Sequence, residues 1–428
     1  MKKNEQTLLR ERAILVGLTD RSPRQLRDED PLEEVERLVL TAGAAVVGKV
    51  IQQRELPDPH SCIGSGKVEE VGELLREARA NVVVFDNDLT PAQAKNLEES
   101  WKVRVLDRTE VILDIFATHA QSLQAKLQVE LAQLEYTLPR LRRMWTHLSR
   151  QEGGAGIGIG MRGPGEKQLE VDRRAARKRV TGLRRELREI EKRKEREVFT
   201  RRGSFTIALV GYTNAGKSTL MNALTAAGVP TEDKLFSTLD TRTRTWKLSS
   251  GFKILLSDTV GFIRNLPHHL VGSFHATLEE VIHADLLLHV VDAGRPDAAD
   301  QIAAVNAVLT ELGCIENETV MVFNKADRLD DRMEFAILEN RYPRAVTLSA
   351  LNGDGLDRLE SAVEEIVNRR MTITDLEIPA GDGKTLAELA EHGAILDRRY
   401  LDGVALIRAR LPERELYRYA AFIRKREG

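Results

Sequence analysis

The sequence predicts a multidomain α/β protein whose largest unit is a doubly wound parallel sheet, and three observations point there. Short apolar runs alternate with helical patterns near the N-terminus and again after Ser204, as parallel strands joined by crossover helices require. Between these regions lies a long stretch with helical period and no strand signal. At 428 residues, 42% of them hydrophobic, the chain is too long for one ordinary core, so two to four domains are expected.

The first domain, residues 1–109, reads as a small parallel α/β unit. Strands are expected at Ala13–Leu18, Ala44–Ile51, Asn81–Phe85 and Val103–Leu106, with helices at Pro31–Leu40, Val68–Arg79 and Pro91–Trp101. Gly64-Ser-Gly66-Lys67 resembles a phosphate loop in composition only. Its glycine spacing is wrong, and Val68 stands where a hydroxyl should follow the lysine. A loop feeding a helix is the favoured reading, with a nucleotide or RNA contact as the alternative. Asp86 and Asp88, just after a strand, read as turn caps in preference to metal ligands.

Residues 110–203 change character. Ile112, Ile115, Phe116, Leu123, Leu127, Leu131, Leu134, Leu138 and Leu141 recur at threes, fours and sevens, the face of an extended helix. A second helix, Glu166–Val198, carries Val180, Leu183, Leu187 and Ile190 on its stripe, and the two are expected to pair as an antiparallel hairpin. Their connection, Gly153 to Gly165, holds seven glycines in thirteen residues, a bare and exposed tip. Residues 140–202 carry twenty Lys and Arg against nine Asp and Glu, although the whole chain has a net charge of only −2. A solvated helix face accounts for part of that excess. A projecting arm at +11 on an otherwise acidic chain is what phosphate-backbone binding needs, and nucleic acid is the favoured partner.

The doubly wound sheet, residues 204–368, opens with Ile207-Ala-Leu-Val-Gly-Tyr-Thr-Asn-Ala-Gly-Lys-Ser-Thr219, a buried strand, a turn and a helix start. Within it Gly211-x-x-x-x-Gly216-Lys217-Ser218 is a complete phosphate-binding loop, which makes this a P-loop NTPase domain. A triphosphate wants several backbone N–H donors converging on it, and a glycine-permitted loop over a helix N-terminus supplies them. Gly211, Tyr212, Thr213, Asn214, Ala215, Gly216, Lys217, Ser218 and Thr219 are therefore assigned to the nucleotide. Lys217 serves the β- and γ-phosphates, and Ser218 is a ligand for Mg²⁺. The next segment, Phe236-Ser237-Thr238-Leu239-Asp240, is assigned to the nucleotide as well. Thr238 is the hydroxyl that completes the metal shell and senses the γ-phosphate, with Thr241 as alternate. A strand at Lys253–Ser257 delivers Asp258-Thr259-Val260-Gly261. Asp258 holds the metal through water, and the Gly261 N–H bonds the γ-phosphate. Lys217, Thr238 and Gly261 are the catalytic candidates.

The strand Thr319–Phe323 leads into Asn324-Lys325-Ala326-Asp327, and this tetrapeptide selects the base. The Asp327 carboxylate can accept from both the N1–H and the exocyclic amine of guanine. Adenine has no N1–H, so a carboxylate facing it would be left unpaired. Asn324 braces the loop and Lys325 covers the base plane. A last strand, Val346–Leu351, brings Ser349, Ala350 and Leu351 to the base, the Ala350 N–H to its carbonyl. The domain is thus a GTPase G domain, with GTP as substrate. Many GTPases place glutamine directly after the D-x-x-G glycine to orient water. Phe262 stands there in this chain, so a partner or an ion supplies the missing group, or hydrolysis is slow. Asn214 reads equally as a ligand for K⁺ near the phosphates and as a turn residue tolerant of left-handed backbone.

Gly163-Pro-Gly165-Glu166-x-Gln168-Leu-Glu170-x-Asp172-Arg173-Arg174, together with the phosphate loop and Asp258-Thr-Val-Gly-Phe-Ile263, resembles the HflX family of translational GTPases. The likeness spans most of the chain. It implies binding to the large ribosomal subunit, splitting or rescue of stalled or hibernating ribosomes, and a hairpin tip directed at rRNA of the peptidyl-transferase region. It also implies GTP hydrolysis stimulated by the ribosome. Two departures stand out: the added glycines from Ala155 to Gly160, and Thr241 where many members have proline. Residues 369–428 read as a small α+β appendage, with strands at Thr372–Ile378 and Val404–Arg410 and a helix at Thr385–Glu391. Cys62 and Cys314 have no motif spacing and suggest plain buried thiols in a reducing compartment. With no membrane-length apolar run, a cytoplasmic monomer is expected. Two other classes stay in view: an ATP-dependent RNA remodeller acting through the N-terminal domain, and a GTP switch in signalling without RNA.

Overall fold

The computed structural model describes residues 11–19, 30–144, 164–200, 205–225, 235–236, 241–264, 278–329 and 332–424. These fall into two compact units, one holding the described residues up to Ile190 with Leu235 and Phe236, the other the remainder. Among the described residues no helix is long and apolar enough to cross a membrane.

In the first unit, β1 (Arg12–Thr19), β2 (Ala45–Gln53), β3 (Val82–Phe85) and β4 (Arg104–Asp107) form an all-parallel sheet in the order β2-β1-β3-β4. The central pair is apolar without alternation, as strands covered on both faces must be: Ala13 to Val16 and Val82 to Phe85 are all buried. Helices α1 (Glu33–Thr41), α2 (Ser65–Glu77) and α3 (Pro91–Trp101) are the crossovers. The start of α3 is written in its sequence: Thr90 Oγ1 accepts from Gln93 N, Gln93 Oε1 accepts from Thr90 N, and Pro91 opens the first turn.

Gly64-Ser-Gly66-Lys67 does not form a phosphate loop. Gly64 caps α2, helix begins at Ser65, and Lys67 pairs with Glu70 one turn on at 2.7 Å. Asp86 accepts from Arg108 at 2.7 Å and Asp88 from Thr109 at 2.8 Å, which spends both carboxylates on the fold. Among the described residues, no group of three or more His, Cys, Asp or Glu could hold a metal ion. Cys62 and Cys314 are buried, free thiols.

The extended helix expected from Glu110 onward is two helices, α4 (Arg108–His119) and α5 (Leu123–Met144). The chain turns extended at Ala120, and the Ser122 hydroxyl accepts from Ala125 N at 3.0 Å, an N-cap that restarts the helix. A buried polar hub ties α5 to the sheet. Asp107, at the end of β4, accepts from Glu110 N, from the Tyr136 hydroxyl at 2.5 Å and from Arg140 at 2.7 Å, while the Arg140 guanidinium lies 3.5 Å from the Tyr136 ring centre. Burial raises the Asp107 carboxyl against the pull of Tyr136 and Arg140, and burial followed by Asp107 pushes Glu110 up to about 7. The second long helix, α6 (Pro164–Thr200), packs Val180, Leu183 and Leu187 with Leu127 and Leu131 of α5. The glycine-rich tip as far as Gly163 lies outside the described residues, whereas Pro164 and Gly165 belong to α6.

In the second unit a six-stranded sheet runs β10-β9-β8-β5-β7-β6, parallel except for the edge strand β6. Its members are β5 (Phe205–Gly211), β6 (Arg242–Lys247), β7 (Lys253–Asp258), β8 (Leu286–Asp292), β9 (Thr319–Asn324) and β10 (Val346–Thr347). Helices α7 (Lys217–Thr225), α8 (Ala298–Glu311), α9 (Arg332–Arg341) and α10 (Leu356–Arg369) complete the doubly wound arrangement. The last strand is shorter than expected: pairing with β9 ends at Thr347, and Leu348 to Leu351 are loop.

The tail adds a three-stranded antiparallel sheet, β11 (Met371–Pro379), β13 (Val404–Pro412) and β12 (Ala394–Leu401) in that spatial order, with α11 (Gly383–His392). Its core gathers Leu376, Ile378, Leu389, Ile407, Leu411 and Tyr419. Strand β12 escaped sequence reading because Asp397-Arg-Arg interrupts it and it lies at the sheet edge, with residues 396–401 all exposed.

Candidate functional site

The site is built at the C-terminal ends of β5, β7, β8 and β9, where an open α/β sheet offers its crevice. The loop after β5 is shaped by residues in the left-handed region. Gly211 has φ +150° and Gly216 φ +94°; a Cβ on the first would lie 2.1 Å from the Val290 carbonyl oxygen, and on the second 2.3 Å from Asn324 Nδ2. No other residue fits at either position. Asn214 also adopts φ +62°, as its turn reading expects.

Lys217 opens α7 with 6% exposure, and its ammonium donates to the carbonyls of Gly211 (3.0 Å) and Tyr212 (2.8 Å). Burial lowers it to about 8; Asp258 opposes that shift and Lys325 adds to it. Ser218 Oγ donates to Asp258 Oδ2 at 2.6 Å, which brings the two expected metal ligands together. Thr259 points away: its hydroxyl donates to the Leu209 carbonyl at 2.6 Å and is fully buried, so that side chain serves the sheet and not the nucleotide. Gly261 is pressed on the phosphate loop, where an added Cβ would stand 2.6 Å from Thr213 Cα and 3.1 Å from Lys217 Nζ. A short backbone ladder holds it there, Thr213 N donating to Phe262 O at 2.7 Å and Phe262 N to Gly211 O at 3.1 Å.

On the base side, Asn324 is 2% exposed and donates from Nδ2 to Ala215 O at 2.9 Å. Its Oδ1 accepts from the Ala350 N–H at 2.9 Å. The Ala350 N–H, expected at the base carbonyl, is here donated to the bracing amide. Lys325, itself at φ +63°, reaches Asn214 O at 2.8 Å and Asp292 Oδ2 at 2.7 Å. Asp292, at the end of β8, was not singled out in the sequence. Asp327 is exposed, with Oδ1 held by the Ser349 hydroxyl at 2.5 Å. Ala326 N donates to Leu348 O, and the Leu351 side chain is 72% exposed.

Ser237, Thr238, Leu239 and Asp240 lie outside the described residues. Phe236 is a correction: its ring is buried at 1% exposure and meets Phe116 edge-on, centroids 4.7 Å apart, so its side chain is not offered to a nucleotide.

The buried lysine gives the site a pH signature. Phosphates bound here would require the cation, whereas burial, by lowering Lys217 to about 8, removes that charge progressively above pH 8 in the free protein. Nucleotide binding therefore takes up a proton at pH 8.5–9 and none at pH 7, and affinity falls by up to about tenfold per pH unit above 8. Calorimetry in buffers of different ionisation heat reads this directly; zero proton uptake at pH 9 would rule it out.

Three family models match the chain: "GTP-binding GTPase N-terminal" over residues 29–117, "GTP-binding GTPase Middle Region" over 119–201, and "50S ribosome-binding GTPase" over 206–325. A protein of Caldanaerobacter subterraneus called GTPase HflX is 44% identical over 91% of this chain and 89% of its own length. GTPase HflX of Escherichia coli is 42% identical over 94% of each chain. A solved structure of a GTP-binding protein from Sulfolobus solfataricus in complex with GDP is similar at 24% identity and TM-score 0.43, over 84% of this chain and 99% of that one.

Proposed function

The chain belongs to the HflX family of GTPases, and from that membership we propose that it binds the large ribosomal subunit and dissociates or rescues stalled or hibernating ribosomes. It hydrolyses GTP to GDP and phosphate, at a rate the ribosome stimulates. The observation that carries this reading is the burial of Phe262. Its side chain is 2% exposed and its backbone is laddered to the phosphate loop, so residue 262 cannot orient a water in this arrangement. A hydrolytic site without its water-orienting group fits an enzyme that completes itself on a partner. The basic arm supplies the means of docking, and the match of residues 206–325 to a ribosome-binding GTPase model agrees with that partner.

Within the site, Lys217 attends the β- and γ-phosphates, the Gly261 N–H meets the γ-phosphate, and Asp327 takes the guanine edge. Mg²⁺ fits beside Ser218 and Asp258, a hydroxyl and a carboxylate 2.6 Å apart, which is the oxygen set a hard cation prefers. Bound there it would neutralise phosphate charge. Thr238 is the proposed second hydroxyl ligand, and Asn214 the proposed ligand for K⁺. The protein acts as a cytoplasmic monomer.

The test is the hydrolysis rate with and without large ribosomal subunits, run in K⁺ and in Na⁺. Stimulation of about a thousandfold or more is expected, the range seen when a partner supplies a missing catalytic group. Equal rates with and without subunits would overturn the ribosomal reading, and equal rates in K⁺ and Na⁺ the role of Asn214.

A further inference from the structure

The segment after Asp258 is fastened to the phosphate loop at more points than the D-x-x-G motif requires. The ladder at Phe262 is the first tie. Burial of Phe262 and Ile263, at 2% and 1% exposure, is the second. A third comes from Tyr212, which stands inside the phosphate loop and is itself 7% exposed. Its hydroxyl oxygen accepts from the Arg264 backbone N–H at 2.8 Å, across 52 residues of sequence. The Arg264 side chain then donates to Asp297, just before α8, at 2.8 Å. Asp297 also accepts from Arg295 at 2.9 Å, so the far end of the segment is anchored to the sheet's next loop.

These ties converge on one short stretch of backbone. Gly261 lies between the β7 end and the Tyr212–Arg264 bond, and its position beside Lys217 Nζ puts it next to the place a γ-phosphate would take. A diphosphate ends short of that place. Whatever fixes residues 261–264 against the loop thus acts on the triphosphate and leaves the diphosphate alone.

We propose that Tyr212 is a positioning residue for γ-phosphate recognition: its hydroxyl pins Arg264, and so holds the Gly261 N–H at the distance from the phosphate loop that a triphosphate needs. This rests on the guanine-nucleotide reading of the site. It adds a role for a side chain that phosphate-loop chemistry leaves undetermined, since any residue at position 212 supplies the backbone.

The experiment uses the full chain with Tyr212→Phe, which keeps the ring in its buried place and removes only the hydroxyl. Dissociation constants are measured for GDP and for a non-hydrolysable GTP analogue. One hydrogen bond of ordinary net strength corresponds to a loss of about three- to tenfold in analogue affinity. GDP affinity stays within about twofold. Asp297→Asn, which loosens the other end of the same anchor, shifts the ratio in the same direction, and the double variant loses less than the product of the single losses because both act through Arg264. An equal loss for both nucleotides, or no loss for either, would overturn the proposal. Failure of the unaltered chain to bind GDP would instead overturn the site reading on which it stands.

Discussion

Asp327→Asn lowers GTP affinity by about 10²- to 10⁴-fold and moves the preference to a base with a carbonyl where guanine carries its exocyclic amine. The carboxylate is exposed and one oxygen is held by the Ser349 hydroxyl at 2.5 Å, so it is aimed before any base arrives. Guanine presents two donors on that edge, and each bond from a donor to a charged acceptor contributes about 1.5–3 kcal/mol. An amide removes the charge and sets its own N–H₂ against a guanine donor, so one bond becomes a donor–donor clash and the other loses its charge assistance. Xanthine, with a carbonyl at that carbon, accepts from the same N–H₂. Competition between GTP, ATP and XTP for a fluorescent guanine nucleotide measures the exchange. GTP binding retained within about threefold, with no gain for XTP, would show that Asp327 does not read the base.

Most of the site was legible because phosphate and base chemistry are written in short local runs. Gly211, Gly216 and Lys217 stand within seven consecutive residues, and the glycines are forced by contacts of 2.1 and 2.3 Å that no side chain survives. The couplings between runs were not legible. The Tyr212–Arg264 bond spans 52 residues and Asn324–Ala215 spans 109, and no period or composition signals either. The bond from Ala350 N–H to Asn324 Oδ1 likewise joins two loops that the sequence shows only one motif at a time. The fold followed the same division. Buried strands such as Leu286–Asp292 declare themselves by uninterrupted apolar residues, whereas edge strand β12 carries Arg398 and Arg399 in the open and lacks that signal. The break between α4 and α5 depends on one serine cap that hydrophobic spacing cannot register.

The other large effect concerns the arm, where the structure separates arginines that hold the fold from those available to a partner. Arg179 is bidentate to Glu130 at 2.7 Å and Arg184 reaches Glu135 at 2.8 Å, both joining α6 to α5. Arg177, Lys178, Arg185 and Arg188 are exposed, and at 100° per residue they fall within an arc of about 100° on one side of α6, off the stripe of Val180, Leu183 and Leu187. If that side lies on RNA phosphates, each contact releases counterions and lowers the slope of log K against log salt by about 0.7–0.9. Changing all four to Gln therefore reduces affinity for large subunits by a few hundredfold to a thousandfold at 0.15 M salt and flattens the slope by about three. Arg179→Gln with Arg184→Gln removes two exposed ion pairs, each contributing about 0.2–1 kcal/mol, and leaves the slope nearly unchanged. Sedimentation with subunits over a salt series distinguishes the two sets. Equal slopes for the fourfold variant and the unaltered chain would mean that this face of α6 is merely solvated, and that ribosome binding depends on another surface.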